Sequence, residues 1–256
     1  MKYAPTVLPV MREIRDLVLP HWGNVRSITA KSALPTDLVT ELDTAVEAFM
    51  TRKLQELYPD IGFVGEEFGG DRTQERFWLM DPIDGTVHFI RGLPFCTSML
   101  ALIENGQVTF SVIYDFVNDH MYYAEKGQGA FKDGERIHVS DRGLAEAYYC
   151  DEINEAIGNN RELVTRMLDH GARVSLVCAG WEFIMVACGK LDARLAIDPW
   201  GKDYDFAPGC LLVAEAGGIV RNFGSDTYDY TNRNFIAASP KVYRDFMEGP
   251  FRDWSW

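Results

Sequence analysis

Residues 78–92 read "WLMDPIDGTVHFIRG", from Trp78 to Gly92. An apolar run ends at Asp81; Pro82 and Ile83 follow, then a second acid, Asp84, then Gly85 and Thr86. The run predicts a buried strand. Pro82 has no N–H and a fixed φ, so it is expected to stop the ladder and turn the chain. The turn lands Asp84 near Asp81 instead of on the opposite face. Two carboxylates held that close resist joint ionisation, and a divalent cation between them removes the conflict. Gly85 permits close backbone approach, and a helix starting at Thr86 offers free N–H groups to an anion. The segment thus suggests a cation and a phosphate meeting at one spot. Asp-Pro and Asp-Gly are also common turn pairs, so taken singly it admits a plain turn.

Working outward, Val7, Val10, Ile14 and Leu17 repeat with a helical period, predicting a helix from Pro5 to His21. "GNVRSITAKSALPTD" then reads as a loop. Thr40 and Asp43 form a capping-box pattern before a second helix, whose core face is Leu42, Val46, Phe49, Met50, Leu54 and Leu57. "IGFVGEE" and "FWLMD" read as strands. "SMLALIENGQVTFSVIYD" carries Asn105-Gly106 between two apolar runs, a strong hairpin signal. "HMYYAE" and "GAFKDGERIHVS" extend the meander.

After Asp141 the elements alternate. "AYYC", "RVSLV", "DARLAI", "IVRNF" and "NFIAAS" read as strands; "EFIMVACGK", "DFAPGCLLVAEAGG" and "PKVYRDFME" read as helices. The fold class is α/β (α+β). The expected halves are 1–141, with helices on an antiparallel sheet, and 142–256, a smaller alternating α/β half.

Composition narrows the function classes. The chain has 256 residues, 47% of them hydrophobic, enough for a large core. No apolar run approaches the roughly 20 residues of a membrane span, and the N-terminus lacks a secretory pattern; a cytoplasmic location is the expectation. The cysteines, five in number and scattered, argue against a disulfide framework or a zinc site. A net charge of −13 disfavours nucleic acid and anionic membranes as partners. An anionic substrate would need a local positive charge.

Further acids end other elements: Glu66 and Glu67 in "GFVGEEFGG", and Asp205 in "GKDYDFAPGCLLVAEAGG". Singly, the glutamates fit a solvated edge and Asp205 a helix cap. Together, hard oxygen donors from distant segments, without thiolate and with little histidine, are what Mg²⁺ requires. No histidine or cysteine nucleophile is signalled. Acid–base chemistry alone, worth about 10²–10⁴-fold, is too little for phosphate monoester hydrolysis, where accelerations reach about 10²¹-fold.

These segments resemble the inositol monophosphatase family of Mg²⁺-dependent, Li⁺-sensitive phosphomonoesterases. "WLMDPIDGTVHF" is similar to its W-x-x-D-P-x-D-G-T-x-x-F signature and "YDFAPGCLLVAEAGG" to its W-D-x-A-x-G…E-A-G-G signature; "PTDLVTELD" and "GEEFG" match two further blocks in order. The resemblance implies a layered αβαβα fold, a homodimer and two or three Mg²⁺ ions. It assigns the metals to Glu66, Asp81, the Ile83 carbonyl, Asp84 and Asp205, and the phosphate to Gly85 and Thr86. Asp43 and Thr86 would orient the attacking water, helped by Glu66. Asp84, Asp198, Ala179 and Asp205 would touch substrate, and Lys31 would sit on a lid. The implied substrate is a small phosphate monoester, foremost inositol monophosphate. Histidinol phosphate, fructose 1,6-bisphosphate and 3′-phosphoadenosine 5′-phosphate are alternatives, as is a non-catalytic metal-dependent binding protein. Departures fall near the substrate: Tyr204 replaces Trp, His88 replaces Asn, the loop from Lys31 to Asp37 is one residue longer, "VCAGWE" replaces a Gly-Thr/Ala-rich segment, and Asp198 stands for a glutamate.

Overall fold

The computed structural model describes residues 1–30, 38–176, 178–249 and 251–254. Helix α1 (Ala4–Val18) opens the chain, and a short antiparallel pair follows, β1 (Ile28–Ala30) with β2 (Leu38–Thr40). β1 lies within the stretch expected to be loop, and β2 follows directly after it. Helix α2 (Glu41–Leu57) starts at Thr40 through a capping box with Asp43, as the spacing predicts.

A seven-stranded sheet comes next, in the order β3 (Gly62–Gly65), β4 (Arg76–Asp84), β5 (Thr97–Glu104), β6 (Gln107–Asp115), β7 (His120–Glu125), β8 (Gly129–Lys132) and β9 (Glu135–Arg136). It is antiparallel except for β3 on β4. Asn105 and Gly106 both have positive φ in the β5–β6 turn, the conformation that Asn-Gly favours in hairpins. A short helix, α3 (Thr86–Arg91), leaves the end of β4.

The rest of the chain forms β10 (Tyr148–Ile153), α4 (Asn160–Met167), β11 (Ala172–Arg173), α5 (Ala179–Ala187), β12 (Ala193–Ile197), α6 (Asp203–Glu215), β13 (Ile219–Asn222), β14 (Phe235–Ala238) and α7 (Pro240–Glu248). Its sheet has the order β11-β10-β12-β14-β13, parallel on the first side and antiparallel on the second. Among the described residues of "RVSLV", only Arg173 lies in a strand, and the periodicity does not anticipate α4.

Alternation along the strands sorts side chains into layers. Trp78, Met80, Leu100, Leu102 and Phe110 pack on α1 and α2. Phe77, Leu79, Met99 and Ala101 face the other way, onto α5 and α6, which also take Ala196, Phe235 and Ala237 from the second sheet. Leu195, Ile197 and Ile236 then face α4 and α7. The result is an αβαβα sandwich whose α5/α6 layer is shared by both sheets.

Candidate active site

The two acids of "DPID" share one sheet face because β4 carries an extra residue. Asp81 pairs with Met99 and Asp84 with Thr97, three steps on β4 against two on β5. Residues three apart in a regular strand point to opposite faces; a bulge restores the match. Pro82 therefore does not end the ladder, as the sequence led us to expect. It sits in a bulge, and pairing resumes at Asp84. Ile83, inside the bulge, turns to the α1/α2 side, while both carboxylates face the α5/α6 layer.

Asp84 is gripped by the start of α5. Its Oδ1 accepts the Ala179 N–H at 3.2 Å. Its Oδ2 accepts the Gly180 N–H at 2.6 Å, the Thr97 hydroxyl at 3.2 Å and the Cys178 thiol at 2.9 Å. A side chain at residue 180 would collide with Thr97 and Asp84. Asp205 enters from the first turn of α6, its carboxylate accepting the Lys202 N–H at 2.5 Å. One carboxylate oxygen each from Asp81, Asp84 and Asp205 lies within 4.8 Å of the others. Asp81 is 2% exposed, and its Oδ1 has no hydrogen-bond partner. Burial, reinforced by Glu66 and the neighbouring aspartates, pushes Asp81 and Asp205 well above the usual carboxylate range; burial also raises Asp84 against the donors that grip it.

Such an arrangement is unfavourable for protein alone. A cage of hard oxygen donors with an orphaned, buried carboxylate oxygen fits a hard divalent cation. Glu66 lines the same cavity, of about 220 Å³, together with Ile83, Gly85, Thr86 and His88.

Asp43 and Thr86 meet beside it. The Thr86 hydroxyl lies 2.9 Å from the Ile83 carbonyl and 3.3 Å from Asp43 Oδ1. Asp43 Oδ2 accepts the Thr40 N–H at 2.8 Å and the Thr40 hydroxyl at 2.6 Å. Burial outweighs these bonds and pushes Asp43 up to about 6. Gly85 has φ +80°, and a Cβ there would sit 2.6 Å from the Phe95 carbonyl oxygen, so this turn requires glycine.

Among the expected substrate contacts, Ala179 reaches the site through its N–H on Asp84. Asp198 is engaged elsewhere: Oδ2 accepts the Asn160 side-chain amide at 3.1 Å, and its own N–H donates to Asn234. Lys31 lies outside the described residues.

Sequence reasoning missed Glu47. Fully buried on α2, it accepts the Glu67 N–H at 2.7 Å and the Phe68 N–H at 2.8 Å, fixing the loop that carries Glu66. A Cβ at Gly65 would sit 2.1 Å from the Glu47 carboxylate. A signal existed: Glu47 follows Asp43 by one helical turn, beside the apolar stripe. Cys178 and Gly180 were read only as departures in "VCAGWE".

A cation cage on an αβαβα sandwich marks a metal-site protein of layered α/β architecture. The chain belongs to the inositol monophosphatase family, whose model matches residues 6–249. It is 32% identical to inositol monophosphatase 1 of Sus scrofa, with 94% of this chain and 90% of that protein covered. It is 30% identical to the fructose-1,6-bisphosphatase/inositol-1-monophosphatase of Thermotoga maritima, with 94% and 93% covered. The solved structure of an IMPase from Thermotoga maritima superposes with a TM-score of 0.87 at 28% identity, covering 98% of each chain. The protein is thus a phosphoric monoester hydrolase of a metal-dependent family. Among the described residues, no helix is long and apolar enough to cross a membrane.

Proposed function

We propose that this protein hydrolyses a small phosphate monoester, foremost inositol monophosphate, in a Mg²⁺-dependent reaction. The observation that carries the reading is the orphaned Oδ1 of buried Asp81 beside the converging Asp84 and Asp205 carboxylates. Asp81, Asp84, Asp205, Glu66 and the Ile83 carbonyl would hold two or three Mg²⁺ ions. When bound, Mg²⁺ supplies an acidified water and neutralises charge on the leaving oxygen. Thr86, held by Asp43 and the Ile83 carbonyl, orients the attacking water. The Gly85 and Thr86 N–H groups take phosphate oxygens at the start of α3. Lys31 would add positive charge from outside the described residues. A homodimer and Li⁺ sensitivity belong to the same reading and rest on the sequence resemblance; a cytoplasmic location is proposed with them. Fructose 1,6-bisphosphate is the second candidate substrate, favoured by the name of the Thermotoga maritima relative.

A panel of phosphate esters assayed with Mg²⁺, with and without Li⁺, tests the reading. We expect fastest release from inositol monophosphate, and inhibition by Li⁺. Absence of release from every ester would overturn it. Asp84→Asn should abolish Mg²⁺-dependent release in a folded protein; unchanged turnover would refute the mechanism.

A further inference from the structure

Arg194 lies in β12 and is 1% exposed, a cation sealed inside an acidic protein. Its guanidinium is packed among the rings of Phe183, Phe206 and Phe235, at 5.4, 4.9 and 5.7 Å from their centroids. A buried arginine of this kind needs a reason, because a well-packed apolar residue is often at least as stabilising. The reason lies in what it holds. Arg194 Nη2 donates to Glu152 Oε2 at 3.0 Å, and Nε stands 3.3 Å from Glu182 Oε2. Nη1 donates to the Leu195 carbonyl at 2.8 Å.

Each acid passes the connection on. Glu152 Oε1 accepts the Gly201 N–H at 2.7 Å, one residue before the cap of α6, the helix whose first turn carries Asp205. Glu182 belongs to the first turns of α5, and its Oε1 accepts the Leu176 N–H just before that helix begins. The start of α5 is the element that grips Asp84. Gly201 is tightly enclosed as well: a Cβ there would meet Phe206 at 2.5 Å and Asp205 Oδ2 at 3.1 Å. One planar guanidinium thus braces two helix starts, that of α5, which grips Asp84, and that of α6, which carries Asp205.

We infer that Arg194, acting through Glu152 and Glu182, is a positioning residue that fixes the separation of Asp84 and Asp205 for cation binding. The inference rests on the cation reading of the site given above. A lysine cannot replace it, since an ammonium lacks the planar fork that reaches two acids at once. Outer contacts of this kind typically tune metal affinity by about 10–100-fold.

The test is calorimetric titration with Mg²⁺, alongside thermal unfolding of the metal-free protein. Glu152 is partly exposed, so Glu152→Ala can lose the Gly201 clamp without opening the core. We expect it to weaken Mg²⁺ binding about 10-fold or more in protein that stays folded, with a lowered unfolding temperature because buried Arg194 loses one of its two acids. Glu152→Gln has one acceptor oxygen for two donors, the Gly201 N–H and Arg194 Nη2, so it loses one of the two bonds and should weaken Mg²⁺ binding by about threefold, less than Glu152→Ala. Arg194→Lys should weaken Mg²⁺ binding about 10-fold in protein that remains folded. Wild-type affinity in folded Glu152→Ala and Arg194→Lys would overturn the brace while leaving the cation site intact. A wild-type protein that binds no Mg²⁺ would overturn the cation reading and the brace with it.

Discussion

Two groups of acids meet the α5/α6 layer, and they are balanced differently. Glu182 and Glu152 face Arg194, a cation built into the chain. Asp81, Asp84 and Asp205 converge with no such partner among the described residues, and one Asp81 oxygen accepts nothing. The first group contains its own charge balance and serves geometry. The second is incomplete until a diffusible cation arrives. Buried acids by themselves do not identify a site; buried acids lacking their counter-charge do.

The sharpest way to break this contrast is Asp81→Asn. It should cut phosphate release by at least about 10²-fold, as loss of a central electrostatic group does. It should also stabilise the metal-free protein by about 1–2 kcal/mol, since a buried charge without a partner is removed. Phosphate release and unfolding in chelator measure the two effects. A destabilised metal-free variant would show that the orphaned oxygen carries no cost.

The Arg194 group is sharpened by pH. Burial pushes Glu182 up to about 7 from its ordinary 4.5, against the pull of Arg194; Glu152 and Asp84 add to the rise, and the Leu176 N–H opposes it. The folded state therefore holds this proton more tightly than the unfolded chain. Its contribution to stability is greatest below pH 4.5 and declines as pH rises to about 7. Glu182→Gln should flatten that decline between pH 5 and pH 8 by at most about 2–3 kcal/mol. Parallel unfolding profiles for variant and wild type would place Glu182 as ionised throughout.

A smaller effect belongs to the rim. Thr40→Ala removes the cap of α2 and a donor to Asp43, and should cost about 1 kcal/mol, read from urea unfolding. A loss below the error of that measurement would mean that the Asp43 bond to the Thr40 N–H alone secures the helix start.

Much of this was legible in the residues. Asn105-Gly106, the alternation in β4–β7 and the Thr40–Asp43 box are local signals, and the structure follows them. The opening segment announced two neighbouring acids for a sound reason, although Pro82 forms a bulge where a stop was expected. What escaped was nonlocal. Glu47 reveals itself only when α2 meets the loop after β3. Arg194 has meaning only once β12 lies behind both helix starts. The α4 helix has weak apolar content and repeats no pattern long enough to read, and "RVSLV" reads as a longer strand than the two-residue edge pairing of β11.

The bulge between Asp81 and Asp84 has a consequence for how this chain can vary. Most bends at the end of a strand accept insertions and deletions readily. Here parity matters: with one residue fewer, Asp84 would turn toward α1 and α2, away from Asp81 and out of reach of the Gly180 N–H. Side chains at Pro82 and Ile83 can be exchanged within the limits of packing, but the number of residues between the acids is fixed at two.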